Sequence, residues 1–389
     1  MSAIVTDARY RMSLAVIRSL GRAGVRVIAQ EERETPPRAA IGFHSRYTRE
    51  TLLTSSPSRE PDRFVDDLLR AGEPGDVLIP VSLPSIFAVS QRLREVRERF
   101  GVALPPPEAV RTADDTKSIL EVARRCGVPV PRTATANVGE DPAQLLNIVG
   151  LPAVIKYRDG DSLGLPAVER YVIVKDRDSF VTAYRAMAAR QDSPLAQEYI
   201  AGEGWGVSAV MDAASDPVAV FCHRRIREYP STGGPSCFCE SARDDTLIGY
   251  GLKLLKELRW HGVAMVEFRR ETSTGRYVLM EVNPRFWGSL PLAIASGVDF
   301  PQILYRVARG EPVSPVTDYK LGVRMRYLFQ DLLSVPGYLR HRRDRAAFLL
   351  AFLRDLLDLR VVDGVFQRDD PIPGLYYLAR APFGAARGH

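Results

Sequence analysis

The chain has 389 residues and a mass of 43.2 kDa, with 46% hydrophobic and 26% charged residues, as in ordinary globular proteins. This length is too great for one hydrophobic core, so we expect two or three packed subdomains. No apolar run approaches the roughly 20 residues that a transmembrane helix needs, and the N-terminus lacks a signal-peptide pattern. We therefore expect a cytoplasmic protein without a transmembrane segment.

The net charge of +6 and the sequence pI of about 9.2 raise the question of a nucleic-acid partner. The arginines, however, are scattered along the chain and interleaved with acidic residues, which is typical of solvated helix faces. The dense basic run is residues 340–345, RHRRDR. We therefore expect phosphate-binding sites and a solvated surface, and no nucleic-acid partner.

The first hundred residues alternate short apolar strands with amphipathic helices. Residues 3–6, 25–29 and 76–81 are predicted strands, and residues 12–22 and 62–70 are predicted helices. Strands that alternate with helices imply a parallel sheet, which predicts an α/β, Rossmann-like domain over residues 1–105. No GxGxxG motif follows the first strand, which argues against a dinucleotide site there.

The pattern changes after the three prolines at 105–107. A helical lead-in is followed by longer strands with hairpin signals between them and one helix, over residues 179–190. Strands with few crossover helices are typical of an α+β region with antiparallel sheet. We divide this region into a small subdomain with its helical lead-in, residues 106–200, and a large subdomain, residues 201–330.

Residues 331–389 are predicted to form a C-terminal helical tail. Residues 346–353, AAFLLAFL, are strongly apolar and follow the basic run. One interpretation is a helix that packs on the body of the protein. The alternative is a helix that lies on a membrane surface or binds a partner. We favour the first, because apolar helices are usually part of a core.

Two predicted strands, residues 263–270 and 277–283, form a hairpin with a turn at 271–275. Side chains alternate between the faces of a strand. One face of the hairpin is predicted to be apolar, with Ala264, Val266 and Phe268 opposite Val278, Met280 and Val282. The other face then carries Glu267, Glu281 and Asn283.

These three oxygen donors favour Mg²⁺, which binds few protein ligands and completes its shell with water and phosphate oxygens. A half-exposed hairpin with a solvated polar face is the alternative. Pro284 and Arg285 follow directly, and an arginine beside a metal site can hold transferring phosphate oxygens.

The same hairpin carries a family resemblance. Residues 280–289 read MEVNPRFWGS, which resembles the E-x-N-P-R segment of the ATP-grasp superfamily. Residues 295–301, ASGVDFP, resemble its continuation in the carbamoyl-phosphate-synthetase-like branch. The resemblance spans residues 3–310. It implies a Rossmann-like (pre-ATP-grasp) domain followed by α+β ATP-grasp domains, with ATP and Mg²⁺ as cofactors and Mn²⁺ as an alternative ion.

The resemblance also implies where ATP binds. Lys117 matches the lysine that precedes the central domain, and Lys156 matches the strand lysine that contacts the α- and β-phosphates. Residues 158–164 match the loop that covers the phosphates, which makes Gly160 and Ser162 candidates. A hinge at residues 197–203 would clasp the nucleoside. Backbone atoms of Tyr199 and Ile200 would meet the adenine edge, Glu198 its amino group and Glu203 the ribose hydroxyls.

Residues 223–241 resemble the R-x-R-E-x-P…GG-x-S…ES region of single-module ATP-grasp proteins. This match implies a triphosphate contact and a catalytic role for Arg225, beside the catalytic role of Arg285. It also implies a pocket for the acceptor substrate, bordered by Gly233, Gly234, Ser236, Glu240 and Trp287.

The chemistry implied by the resemblance is carboxylate–amine ligation. ATP would activate a carboxylate as an acyl phosphate, and an amine or another nucleophile would then displace phosphate. Small-molecule carboxylates and nucleophiles are the implied partners, and both a monomer and a homodimer are compatible with the sequence. Phosphorylation of bicarbonate or carbamate, and a non-catalytic nucleotide-binding scaffold, remain alternatives.

Overall fold

A computed structural model describes residues 1–137, 139–158, 165 and 169–384. Its strands form three sheets, of four, four and seven strands. Within the described residues, no helix combines the length and the apolar character that crossing a lipid bilayer requires.

The N-terminal region is built on a parallel four-stranded sheet of order β3-β2-β1-β4. Alternate residues of β1 enter different cores, because Ala3 and Val5 face one hydrophobic cluster and Ile4 faces another. The predicted strands and helices of this region are confirmed, and β3 is an addition to them. The elements are β1 (Ser2–Val5), α1 (Arg11–Arg22), β2 (Arg26–Glu32), β3 (Thr48–Thr54), α2 (Pro61–Ala71), β4 (Val77–Ile79), α3 (Leu83–Gln91), α4 (Leu93–Arg99), α5 (Pro107–Asp114) and α6 (Thr116–Arg125).

A small antiparallel sheet of order β5-β8-β6-β7 follows. Helix α8 covers it, with Phe180, Tyr184 and Met187 packed in a core with Ala153 and Ile155 of β6. The elements are β5 (Thr133–Ala134), α7 (Leu146–Val149), β6 (Ala153–Lys156), β7 (Tyr171–Val174), α8 (Arg177–Ala188) and β8 (Leu195–Glu198).

The large sheet has the order β13-β12-β9-β10-β11-β14-β15, and its pairs are antiparallel except for β14 and β15. Helices α6 and α9 pack on one face, and α10 and α11 pack on the other. The elements are β9 (Gly202–Met211), β10 (Pro217–Glu228), β11 (Ser236–Ser241), α9 (Asp245–Glu257), β12 (Gly262–Glu271), β13 (Tyr277–Asn283), α10 (Leu290–Ser296), α11 (Phe300–Ala308) and β14 (Arg324–Arg326).

The predicted apolar layer of the β12–β13 hairpin is wrong in its second half. Glu267 pairs with Glu281, but Phe268 pairs with Leu279, so the register shifts by one residue at Met280. Past this bulge, Leu279 and Tyr277 face the Phe268 side and join its hydrophobic cluster. A bulge reverses which residues face the core, and a strictly alternating pattern therefore placed Val278 and Met280 wrongly.

The C-terminal region contains helices α12 (Leu328–His341), α13 (Arg345–Leu357) and α14 (Ile372–Gly384). It also contains β15 (Val362–Asp363), which extends the large sheet and was not predicted. Two buried arginines fasten this region through three ion pairs. Arg227 of β10 contacts Asp331 at 2.6 Å and Asp355 at 2.9 Å. Arg18 of α1 contacts Asp370 at 2.8 Å, with both side chains almost completely buried.

The Arg18–Asp370 pair generates a stability prediction. Asp370→Asn leaves the Arg18 guanidinium buried without a counterion, which is expected to lower the free energy of unfolding by about 3–5 kcal/mol. Urea unfolding followed by fluorescence measures the change. Asp369→Asn is the matched control, because Asp369 is about half exposed in its pair with Arg22 and its loss is expected to cost about 0–1 kcal/mol. Equal effects of the two substitutions would contradict the prediction.

Candidate functional site

The polar face of the β12–β13 hairpin gathers three oxygen-bearing side chains. Glu267 and Glu281 are direct cross-strand partners. The Asn283 amide nitrogen donates hydrogen bonds to Glu267 Oε1 and to Glu281 Oε1, each at 3.1 Å. The three side chains therefore lie together on one face of the hairpin, as the alternating pattern predicts.

The donor set fits Mg²⁺. Two carboxylates and an amide within one hydrogen-bond network offer hard oxygen ligands and leave coordination positions for water or phosphate. Among the described residues, no group of three or more His, Cys, Asp and Glu side chains could hold a metal, so Asn283 is needed to complete the set. Burial raises the pKa of Glu267, the Arg225 guanidinium opposes this rise, and the Glu281 carboxylate adds to it.

Arg225 of β10 reaches the acidic face from the neighbouring part of the sheet. Its guanidinium makes a short ion pair with Glu267 Oε2, lies 3.4 Å from Glu228 Oε1 and donates to the Gly234 carbonyl at 3.3 Å. Its Nε is buried without a partner among the described residues. Arg269 of β12 donates to Glu228 Oε2 at 3.1 Å and to the Gly202 carbonyl at 2.8 Å. The result is an alternating network of acids and arginines along one face.

Two glycines make room for this network, and the sequence analysis missed them. A Cβ atom on Gly204 would lie 2.7 Å from Arg225 Cδ and 2.9 Å from Glu228 Oε1, and one on Gly206 would lie 2.4 Å from His223 Cε1. These distances are too short for real side chains. Glycines at alternate positions of a strand share one face. The two-residue spacing of Gly204 and Gly206 in β9 could therefore have predicted a strand face that large side chains approach closely.

Lys156 of β6 faces the acidic hairpin from the small sheet. Burial lowers the pKa of Lys156, and the Glu281 carboxylate raises it in opposition. A second link between the two sheets is the short hydrogen bond that the Tyr171 hydroxyl donates to the Gly233 carbonyl. Lys117, near the start of α6, is exposed. Gly160 and Ser162 lie outside the described residues.

The predicted adenine hinge follows β8. Glu198 accepts hydrogen bonds from Arg132 Nε at 2.5 Å and from the Arg132 backbone N–H at 3.1 Å. The Tyr199 N–H donates to the Pro152 carbonyl at 3.2 Å. In this structure, the Glu198 carboxylate and the Tyr199 N–H thus have partners within the protein, and the adenine contacts of this hinge stay a prediction. Ile200 is buried and Glu203 is exposed.

Arg285 does not touch the acidic face. Its NH1 donates to the Phe286 carbonyl at 3.1 Å and lies 3.5 Å from Met12 Sδ of the N-terminal region. The guanidinium thus packs against α1, and its predicted role in holding phosphoryl oxygens stays a prediction. The contact with Met12 places Arg285 at the boundary with the N-terminal region.

Three predicted members of the acceptor pocket lie on or beside β11. The Gly234 carbonyl binds Arg225, the Ser236 hydroxyl donates to the Phe238 carbonyl at 3.3 Å, and Glu240 lies 3.1 Å from Arg324. Gly233 has φ of 130°, which favours glycine.

Trp287 is a correction to the predicted pocket. It is almost fully buried and makes an edge-to-face contact with Phe300, with ring centroids 4.9 Å apart. Its ring therefore belongs to the hydrophobic core between the large sheet and α11, and it does not line an open pocket.

Comparisons with known proteins find a matching family model, related sequences and a shared fold. Residues 191–330 match the family described as ATP-grasp in the biosynthetic pathway with Ter operon. The carbamoyl phosphate synthase large chain of Methanosarcina barkeri is 22% identical over 286 residues, which are 66% of this chain and 26% of that protein. The chain thus spans about a quarter of the length of this relative.

Two solved structures share the fold. Biotin carboxylase from Campylobacter jejuni, in a complex with β-γ-ATP, has a TM-score of 0.65 at 15% identity, with 83% of this chain and 74% of that chain covered. N5-carboxyaminoimidazole synthetase from Staphylococcus aureus, complexed with ADP, has a TM-score of 0.65 at 12% identity, with 83% and 80% covered.

The matched family, the curated relatives and the shared fold all indicate the ATP-grasp superfamily. The small sheet and the large-sheet region meet at the Tyr171–Gly233 hydrogen bond, and Glu281 of the large sheet acts on the pKa of Lys156 of the small sheet. The matched segment contains the acidic hairpin, Arg225 and the hinge, and it ends before the C-terminal helices.

His223 lies beside this ATP-grasp site and generates a pH prediction. Burial, with help from the Arg225 charge, lowers the pKa of His223 from 6.5 to about 3. The unfolded chain therefore binds a proton on this residue below pH 6.5 and the folded chain does not, so the free energy of unfolding falls as the pH drops.

His223→Gln removes this proton uptake. Between pH 7 and pH 5 the unfolding free energy of the variant is expected to fall by about 2 kcal/mol less than that of the natural chain. Urea titrations of both proteins at the two pH values measure the difference. Parallel pH dependences would show that His223 is not buried in the neutral form.

Proposed function

We propose that this protein is an ATP-dependent ligase that activates a small carboxylate as an acyl phosphate and couples it to an amine or another nucleophile, releasing ADP and phosphate. The observation that carries this proposal is the convergence of Glu267, Glu281 and Asn283 on one hydrogen-bond network. Superfamily membership supports ATP as the phosphoryl donor.

The acidic hairpin would hold the metal ion. Glu267 and Glu281 would bind Mg²⁺, or Mn²⁺ in its place, through carboxylate oxygens, and Asn283 through its amide oxygen. When bound, the ion would neutralise charge on the β- and γ-phosphates. The Asn283 amide group now directs its nitrogen to both carboxylates, so its oxygen becomes a ligand only after the amide group rotates.

Two cations of the chain would position the triphosphate. Lys156 faces Glu281 from the small sheet and would contact the α- and β-phosphates. Arg225 is paired with Glu267. Its guanidinium would also bind the phosphoryl oxygens, which carry the charge in the transition state. The backbone N–H of Ile200 has no acceptor among the described residues, so we assign it the adenine edge.

The acceptor would bind between the large sheet and the N-terminal region. Arg285 lies at this boundary, and its polar contacts among the described residues are a carbonyl and a thioether, so we assign its guanidinium to a substrate carboxylate. We propose that residues 1–105 are the Rossmann-like domain that closes this side, and that the protein works in the cytoplasm on small molecules.

The test combines a substrate screen with a site variant. ADP release is measured with amino acids and small acids, singly and in pairs, to identify substrates. The Glu281→Gln, Asn283→Ala double variant is then expected to lower Mg²⁺-dependent turnover by about 10²–10³-fold or more, because it removes two ligands for the ion that stabilises the transferring phosphoryl group.

Glu271→Gln is the matched control, since Glu271 lies at the turn end of the same hairpin and contacts Thr274. Its turnover is expected to remain near that of the natural chain. Turnover that survives the double substitution would remove this mechanism. Binding of ATP without turnover on any acceptor would favour a non-catalytic scaffold, and ADP release with bicarbonate alone would favour a bicarbonate-phosphorylating enzyme.

A further inference from the structure

The C-terminal helices α12 and α13 carry an apolar face that points outward. Six leucines on these helices are exposed: Leu332, Leu333, Leu349, Leu350, Leu353 and Leu357. We call this set the leucine face. Leu350 and Leu357 are 70% and 76% exposed. Clustered exposed apolar side chains of this kind mark interaction surfaces, whereas isolated ones do not.

The leucine face is separate from the side of the helices that holds the protein together. In α13 the buried residues are Phe348, Phe352 and Asp355, and Asp355 binds Arg227 of the large sheet. Leu350, Leu353 and Leu357 follow the i, i+3, i+7 spacing of one helix stripe. The helix is therefore apolar on both sides, and only the inner side is covered by the described chain.

The charged residues next to the leucine face that lack an ion-pair partner among the described residues are basic, whereas Asp358, which follows Leu357, is paired with Arg360 at 2.9 Å. Arg340, Arg343 and Arg345 lie in and around the connection between α12 and α13, and they have no acidic partner among the described residues. The neighbouring Asp344 carboxylate is neutralised by Arg342 at 2.7 Å. The connection thus presents unpaired positive charge beside exposed leucines.

We propose that the leucine face and its flanking arginines dock this protein on an anionic lipid surface, with α12 and α13 lying in the plane of the membrane. Leucines that enter the boundary between headgroups and acyl chains, with arginines at the level of anionic headgroups, are the physical basis of interfacial helices. Helix α13 has 13 residues and is about 20 Å long, which is too short to cross a hydrocarbon core of roughly 30 Å.

The same charges disfavour a second copy of the chain as the occupant. A two-fold interface brings the same patch of both copies together. A second copy presents the same leucines and arginines, so this patch offers no free carboxylate to the unpaired arginines, and unmatched charge at an interface is unfavourable. An anionic lipid surface matches both the leucines and the arginines.

The test measures binding of the full chain to vesicles by sedimentation. Vesicles of equal parts phosphatidylcholine and phosphatidylglycerol are compared with vesicles of phosphatidylcholine alone. The chain is expected to bind the mixed vesicles at least about tenfold more tightly than the neutral ones, and added salt is expected to weaken this binding. Absence of binding to the mixed vesicles would overturn the proposal.

Two sets of variants assign the binding to this surface. Leu350→Gln, Leu353→Gln and Leu357→Gln together are expected to lower the partition coefficient by at least about tenfold. Arg343→Gln and Arg345→Gln are each expected to lower it by about fivefold, on mixed vesicles only. Leu53→Gln, at an exposed leucine of β3, is the matched control and is expected to leave binding unchanged.

Size-exclusion chromatography with light scattering tests the alternative, in which the leucine face joins two copies of the chain. A dimer that becomes a monomer in the triple leucine variant would overturn the proposal and assign the face to contacts between copies. Equal vesicle binding by the triple variant would also overturn it. Leu350→Gln alone keeps the test independent of folding, because this side chain is exposed and its replacement is not expected to shift the urea midpoint.

Discussion

The repulsion between two carboxylates on paired strands, Glu267 and Glu281, is the interaction that the other side chains of the site must offset. Like charges this close repel each other and oppose full ionisation. The Arg225 guanidinium and the Asn283 amide group balance them. Contacts within the protein therefore hold the side chains of the candidate site in one network.

Strand β10 connects this site to the C-terminal region. The register of the β10–β11 pair shifts between Arg225 and Arg227. The side chains of these two arginines therefore contact different parts of the protein. Arg225 contacts Glu267 of the candidate site, whereas Arg227 contacts Asp331 and Asp355 of the C-terminal helices. The Tyr338 hydroxyl accepts a hydrogen bond from the backbone N–H of Glu228 at 2.9 Å. The C-terminal helices thus hold the strand that presents Arg225.

The sequence predicted features that depend on local patterns and failed where distant contacts decide. Alternation placed Glu267, Glu281 and Asn283 together, because their register near the end of the hairpin is regular. It failed at Met280, where a bulge shifts the register. The orientation of Arg285 depends on Met12 of α1, and the burial of Trp287 depends on Phe300. No motif encodes such packing between distant segments.

The C-terminal region also decides how the protein can be divided for experiments. The segment that matches the ATP-grasp family ends at residue 330, one position before Asp331. A fragment cut at these boundaries would retain Arg227 in the sheet but lose both of its carboxylate partners, which leaves the guanidinium without a counterion. Fragments designed for crystallisation or for binding assays should therefore extend at least through Asp355.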